Sequence, residues 1–148
     1  MTVKYADVEP GTPLPGKSYR ATRLDLVKYC GASGDFNPIH WNERFARSVG
    51  LPGVIAHGMY TMAQAGKFVT DWAGDPGAVL EFGVRFSGMV PVPDDTDPSL
   101  GGTTGGATIE VSGKVAEKLG DNQVAVDVVA KSGGTKVLTR ARAVVRLP

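Results

Sequence analysis

Cysteine is nearly absent from this chain of 148 residues: there is one, Cys30. A single thiol excludes an internal disulfide, and a reducing compartment is the simpler expectation. Histidine is almost as scarce, with His40 and His57 the only two. Two histidines and one cysteine without ligand spacing make a poor metal site, so no metal is expected. Charge of one sign is not in excess, since the formal net charge is +1. The basic residues are scattered and not interleaved with aromatics, which argues against a nucleic-acid surface. No run approaches the ~20 apolar residues of a membrane span. The opening MTVKYADVEPG lacks the apolar core of a signal peptide. Neither nucleic acid nor membrane is an expected partner, and a cytoplasmic location is expected. No internal repeat is visible.

What remains is an ordinary globular composition, 42% apolar and 21% charged. The length suits one domain over residues 1–148 with a core of its own. After a proline-broken start, an extended run is expected around Ser18 to Ala21. TRLDLVKYCGASG reads as a helix capped by Thr22 and Asp25, ending near Gly31 to Gly34, with Leu24, Val27 and Tyr29 or Cys30 as its apolar face. Asn37 followed by Pro38 predicts the start of a second short helix, closing near Gly50. HGMYTMAQAGKFVTDW, residues 57–72, predicts a third. It is apolar on almost every side, so it belongs inside the molecule. The alternating runs AVLEFGVRFSG, ATIEVSGKVAEKL, QVAVDVVAKSG and TKVLTRARAVVRL predict strands, with Gly133-Gly134 as a hairpin turn. Residues 88–106, rich in Pro, Gly and Asp, predict a mobile excursion. The outline is α+β: a long buried helix wrapped by an antiparallel sheet.

The reactive groups concentrate in GDFNPIH, residues 34–40, and in AHGM, residues 56–59. Asp35 precedes the Asn37-Pro38 start and His40 falls in the first turn after it. A chain that doubles back at Asn37 can aim both side chains into one cavity, where an acid and an imidazole can hold and move a proton. Spacing alone equally allows Asp35 to cap a turn and His40 to be a solvated first-turn residue. Gly58 opens the third helix. The free N–H groups there suit a carbonyl oxygen, and glycine lets it come close. A glycine that merely permits a sharp helix entry is the plainer alternative. Cys30 reads as a small core residue.

GASGDFNPIHWNERFARSVGLPGVIAHGMYTM closely resembles the hydratase motif of the MaoC-like, (R)-specific enoyl-thioester hydratases and dehydratases. The pattern is G-D-x-N-P-[apolar]-H, then about sixteen residues to an A-H-G-M helix start. The likeness covers residues 22–93 well. HWNE, FVTDWAGDPGAV and VRFSGMVPVPDD resemble in particular the catalytic β subunit of the mycobacterial-type (3R)-hydroxyacyl-ACP dehydratase of fatty acid synthase II. The resemblance implies a hot dog fold and a hydro-lyase that interconverts (3R)-hydroxyacyl and trans-2-enoyl thioesters. It implies Asp35 and His40 as the catalytic dyad, His40 taking the C2 proton and Asp35 protonating the C3 hydroxyl, with the two roles exchangeable. It implies the Gly58 amide as the carbonyl donor and Asn37 as the residue that orients the loop. No cofactor is implied, because the thioester acidifies C2. Acyl-ACP or acyl-CoA is the implied substrate, with a homodimer, or a heterodimer with a second hot dog subunit, as the assembly. Lys17, Arg20, Arg23, Lys28 and Arg85 are candidates to meet an acidic carrier protein. The chain departs from many relatives in lacking a serine within the buried helix, where Thr61 is the nearest hydroxyl in sequence. A hot dog thioesterase and a non-catalytic acyl-binding subunit are the competing functions.

Overall fold

The structure is a computed structural model that describes residues 2–95, 99 and 104–148. Five strands form one antiparallel sheet: β1 (Pro13–Ala21), β2 (Val79–Phe86), β3 (Ala107–Gly120), β4 (Gln123–Ser132) and β5 (Thr135–Arg146). Their order across the sheet is β1-β3-β4-β5-β2. The three C-terminal strands are a meander. The turn between β4 and β5 is Gly133-Gly134, with φ of 56° and 78°, the left-handed pair that a tight hairpin needs. β1 begins earlier than expected. It is an edge strand, the place where prolines such as Pro13 and Pro15 are tolerated, and its register with β3 breaks between Leu14 and Lys17.

Three helices connect β1 to β2: α1 (Arg23–Ser33), α2 (Glu43–Ser48) and α3 (Gly58–Ala73). α1 is closed at its start by the expected capping box. The Asp25 amide donates to Thr22 Oγ1 at 3.2 Å, and the Thr22 amide donates to Asp25 Oδ2 at 2.9 Å. Gly34 ends it in the left-handed region at φ 76°. The face it buries is Leu26 and Cys30, four residues apart; Leu24 and Val27, expected on that face, are turned outward. One helical stretch expected after Asn37 is in fact two. Pro38–His40 is a single 3-10 turn capped by the Asn37 side chain. Asn42 then caps afresh, accepting from the Phe45 amide at 3.0 Å, and starts α2.

α3 lies on the sheet through Tyr60, Thr61, Ala65, Phe68, Val69 and Ala73. With the inward faces of the strands these side chains form one apolar core, in which Val115, Val124, Val126 and Val145 have no exposed surface. The opposite face of α3 carries Met59, Ala63, Lys67 and Asp71 and is open in the single chain. Lys67 and Lys17 both reach Asp71 there at 2.8 Å. The start of the proline-rich excursion is pinned rather than mobile. The Ala56 amide donates to the Val90 carbonyl and the Val92 amide to the Val54 carbonyl, each at 2.9 Å. Val90 and Val92 are buried. Residues 96–98 and 100–103 of that excursion lie outside the described residues.

Candidate active site

Asp35 sits just past the left-handed Gly34, in the short connection between α1 and the Pro38 turn. Two local hydrogen bonds shape this connection. The Asp35 amide donates to Ser33 Oγ at 3.1 Å, and the Asn37 amide donates to Asp35 Oδ1 at 3.2 Å. The Asn37 side chain accepts from the Ile39 amide at 3.2 Å. Asn37 thus holds the turn with its side chain and the Asp35 carboxylate with its backbone. The second oxygen, Asp35 Oδ2, lies 3.9 Å from His40 Nε2. That is beyond a hydrogen bond and leaves the two groups side by side over one space.

His40 is buried. Its Nδ1 lies 2.7 Å from the Ile55 carbonyl oxygen. A carbonyl can only accept, so Nδ1 carries a hydrogen, and in the neutral ring it is Nε2 that turns a lone pair toward Asp35. The Ile55 carbonyl is itself fixed, because Ile55 pairs with Pro91 and its amide donates to the Ile39 carbonyl at 3.1 Å. A second brace joins α1, α2 and the 53–54 segment. Glu43 accepts from Arg23 at 2.6 Å, from Arg47 at 3.1 Å and from the Val54 amide at 3.3 Å. The Arg23 guanidinium, with the Val54 amide, holds the Glu43 carboxyl below its usual range. Arg23 also donates to the Val92 carbonyl.

His57, outside the expected site residues, lies in its middle. Its ring stacks on His40 with centroids 3.8 Å apart and planes 22° apart. Its Nε2 is 3.1 Å from the Asp35 carbonyl oxygen and 3.6 Å from Cys30 Sγ. Tyr29 meets the ring edge-on at 4.7 Å. Burial, with the neighbouring His40, pushes the His57 imidazole below its ordinary value, against the pull of the Asp35 carbonyl. Burial raises the Cys30 thiol, and the Asp35 charge adds to this. Cys30 is a small buried residue, as expected, but it has a histidine neighbour that sequence spacing did not reveal. The signal that could have marked His57 is its position: it is the N-cap of the central helix, and no side-chain capping bond explains a histidine there.

Gly58 is the first residue of α3 and is exposed. A Cβ there would come within 3.0 Å of the Phe86 ring, which arrives from β2. The bare Cα is therefore already used by an aromatic neighbour as well as being open to a ligand. Beside the pair, Val27, Cys30, Phe36 and Trp41 line an apolar cleft of about 260 Å³. Trp41 is fixed there by donating to the Phe36 carbonyl at 3.0 Å.

The fold also brings metal-ligating atoms of Asp35, His40 and His57 within 4.8 Å of one another. The expectation from sequence was that two histidines and one cysteine make a poor metal site; that His57 joins Asp35 and His40 was not visible in their spacing. The rings are stacked, however, so their in-plane lone pairs run side by side and do not converge on one ion. The arrangement suits proton transfer better than chelation.

An antiparallel sheet around a long helix, with an acid and an imidazole set at that helix's N-terminus, is the arrangement of a hot dog protein. Residues 6–133 match the MaoC like domain, and the chain belongs to that family. A stretch of 70 residues, 45% of this chain, is 44% identical to the fatty acid synthase subunit beta of Aspergillus oryzae. The 3-hydroxyacyl-thioester dehydratase X of Mycobacterium tuberculosis is 39% identical over 85 residues, 57% of this chain. The matches cover 3% of the former and 29% of the latter, so the chain spans only a small part of these relatives. A solved structure described as a MaoC-like dehydratase superposes with a TM-score of 0.90 at 40% identity, over 99% of this chain and 43% of that one.

Proposed function

We propose that the protein catalyses the reversible dehydration of (3R)-hydroxyacyl thioesters to trans-2-enoyl thioesters in fatty acid metabolism, as a single domain of residues 1–148 in the cytoplasm. The observation that carries this reading is the disposition of two groups. His40 Nε2 and Asp35 Oδ2 lie 3.9 Å apart with His40 Nδ1 tied to a carbonyl. Elimination across C2–C3 asks for a base at one carbon and an acid at the next, on one face. In the dehydration direction His40 Nε2 takes the C2 proton. The C2–H electrons form the double bond, the C3–O bond breaks, and Asp35 supplies the proton that releases water. The proton then returns from His40 to Asp35. Hydration runs the same path backwards, and the pair acts as a unit in which the two roles can be exchanged.

The Gly58 amide, first in α3 and without a partner inside the helix, is the donor for the thioester carbonyl as charge builds on it. Phe36 and Trp41 give the first carbons of the acyl chain an apolar wall. The thioester acidifies C2 by itself, so this chemistry asks for no cofactor. The substrate is an acyl-ACP or acyl-CoA. Of the cations suited to an acidic carrier, Lys17 is engaged by Asp71, Arg20 by the Gly105 carbonyl and Arg23 by Glu43. Carrier recognition therefore falls to Lys28 and Arg85. β2 ends the sheet with Leu80 and Phe86 exposed. Such an edge is suited to pairing with a second hot dog subunit, identical or not.

The test is hydration of a trans-2-enoyl-CoA, followed by loss of enoyl absorbance, for wild type, Asp35→Asn and His40→Gln. Loss of the acid or the base is expected to lower kcat on the order of 10²-fold or more. Wild-type rates in both folded variants would overturn the dyad. Absence of turnover by the wild type, alone and with its co-purifying subunit, would favour an acyl-binding subunit.

A further inference from the structure

His57 is unlike any other polar side chain among the described residues. It has 1% of its surface exposed, stands at the start of the central helix, and touches both halves of the Asp35–His40 pair. It reaches Asp35 through the backbone carbonyl at 3.1 Å and His40 through the ring face at 3.8 Å. The carbonyl accepts, so His57 carries its hydrogen on Nε2. Its Nδ1 is buried with no hydrogen-bond partner. A lone-pair acceptor left in that position costs less than an unpaired donor, and adding a proton there is opposed three times over. The ring is out of water, a second imidazole lies against it, and His57 is the N-cap residue at the positive end of α3. The groups packed around it are Cys30 and Tyr29 from α1, the Asp35 connection, and His40 from the Pro38 turn. Of these only Asp35 carries a charge that would favour protonation, and it presents its carbonyl, not its carboxylate, to the Nε2–H.

We propose that His57 is the positioning residue of the pair: an imidazole that ties the Asp35 backbone with its Nε2–H and supports the His40 ring with its face. The two reacting side chains come from different short elements, and one of them, Asp35, is exposed. Asn37 holds the Asp35 carboxylate and the turn, and Ile55 holds one edge of His40. His57 touches both the Asp35 backbone and the His40 ring, so it helps to set the 3.9 Å gap. This rests on the dehydratase reading for its kinetic consequence, but the tautomer and the contacts can be tested without it.

Two substitutions separate the two contacts. His57→Gln places an amide N–H near the position of Nε2 and loses the stacked ring. His57→Phe keeps a stacked ring and loses the donor. With a trans-2-enoyl-CoA as probe, His57→Phe is expected to lower kcat on the order of 10²-fold with KM changed less than about threefold, the signature of misplaced rather than missing binding groups. His57→Gln should recover about a tenfold part of that loss. If both folded variants keep wild-type kcat, or if KM rises while kcat holds, the proposal fails. Nitrogen-15 imidazole spectra of the wild-type protein give an independent reading that needs neither a folded variant nor turnover. They are expected to show His57 as the neutral Nε2–H tautomer at pH 7 and above. An Nδ1–H tautomer or an imidazolium at pH 7 would overturn the proposal. An inactive wild type with the expected tautomer would instead sink the dehydratase reading and leave the geometry of His57 standing.

Discussion

Gly58→Ala tests the carbonyl donor without deleting it. Gly58 is not among the residues with positive φ, so its backbone conformation is open to alanine. At a helix position alanine gains up to about 1 kcal/mol over glycine. The new methyl would stand 3.0 Å and 3.1 Å from two carbons of the Phe86 ring. That is several tenths of an ångström inside ordinary contact. Phe86 is 51% exposed, so its ring can swing toward solvent, at a cost comparable to the gain. The melting temperature should therefore stay within a few degrees of wild type, as a net change under about 1 kcal/mol implies for a domain of this size. Activity should not be spared, because the methyl covers the approach to the amide. A fall in kcat/KM of about tenfold or more is expected, a fraction of the roughly 10²–10³ attached to losing a whole donor. Phe86→Ala added to Gly58→Ala removes the clash. The double variant should regain any lost stability but not the lost activity. If Gly58→Ala turns over at the wild-type rate with its fold intact, or if Phe86→Ala restores activity, the amide is not the docking point for the carbonyl.

The Arg23–Glu43 brace makes stability depend on pH in a stated direction. Glu43 is held below its usual 4.5 in the folded state by Arg23, so its contribution is fully present above that value and is lost as pH falls through the lower folded value. The difference in urea midpoint between wild type and Arg23→Gln should be constant near pH 7 and shrink below about pH 4.5; a difference unchanged down to pH 3 would refute it. Phe68, buried against the sheet from the middle of α3, should cost about 3–5 kcal/mol when cut to alanine. Thermal unfolding measures this, and a loss under 1 kcal/mol would mean that α3 is not the centre of the core.

The strands and α3 were legible because their signals are long and local. Valine-rich alternation marks β3, β4 and β5, and the double glycine marks their turn. The pairing of Asp35 and His40 was legible for a different reason: their spacing about Asn37-Pro38 left it open, and the resemblance to the hydratase motif implied it. What sequence concealed is what depends on tertiary contact. Asn42 restarts a helix that Asn37 was expected to begin. Leu26 rather than Leu24 faces inward, because the capping box at Thr22 fixes the phase of α1. The apolar residues Met59 and Ala63 hid the open face of α3, where the Lys67–Asp71 pair is the only polar mark. Val90 and Val92 looked like part of a loose excursion because their partners, Val54 and Ala56, are remote in sequence. His57 was passed over since its contacts, Cys30, Asp35 and His40, all come from before residue 41.

The short ladder between residues 54–56 and 90–92 has a consequence for coupling. It closes the base of a lobe made of α3 and β2, and the Ile55 carbonyl that holds His40 belongs to the same ladder. The sheet edge at β2 and the His40 imidazole thus share one clasp. A ligand and a β2-edge partner that both bind better when the clasp is tight would favour each other by the same factor. A partner on the β2 edge would be linked to His40 through two backbone hydrogen bonds, Ala56 to Val90 and Val92 to Val54.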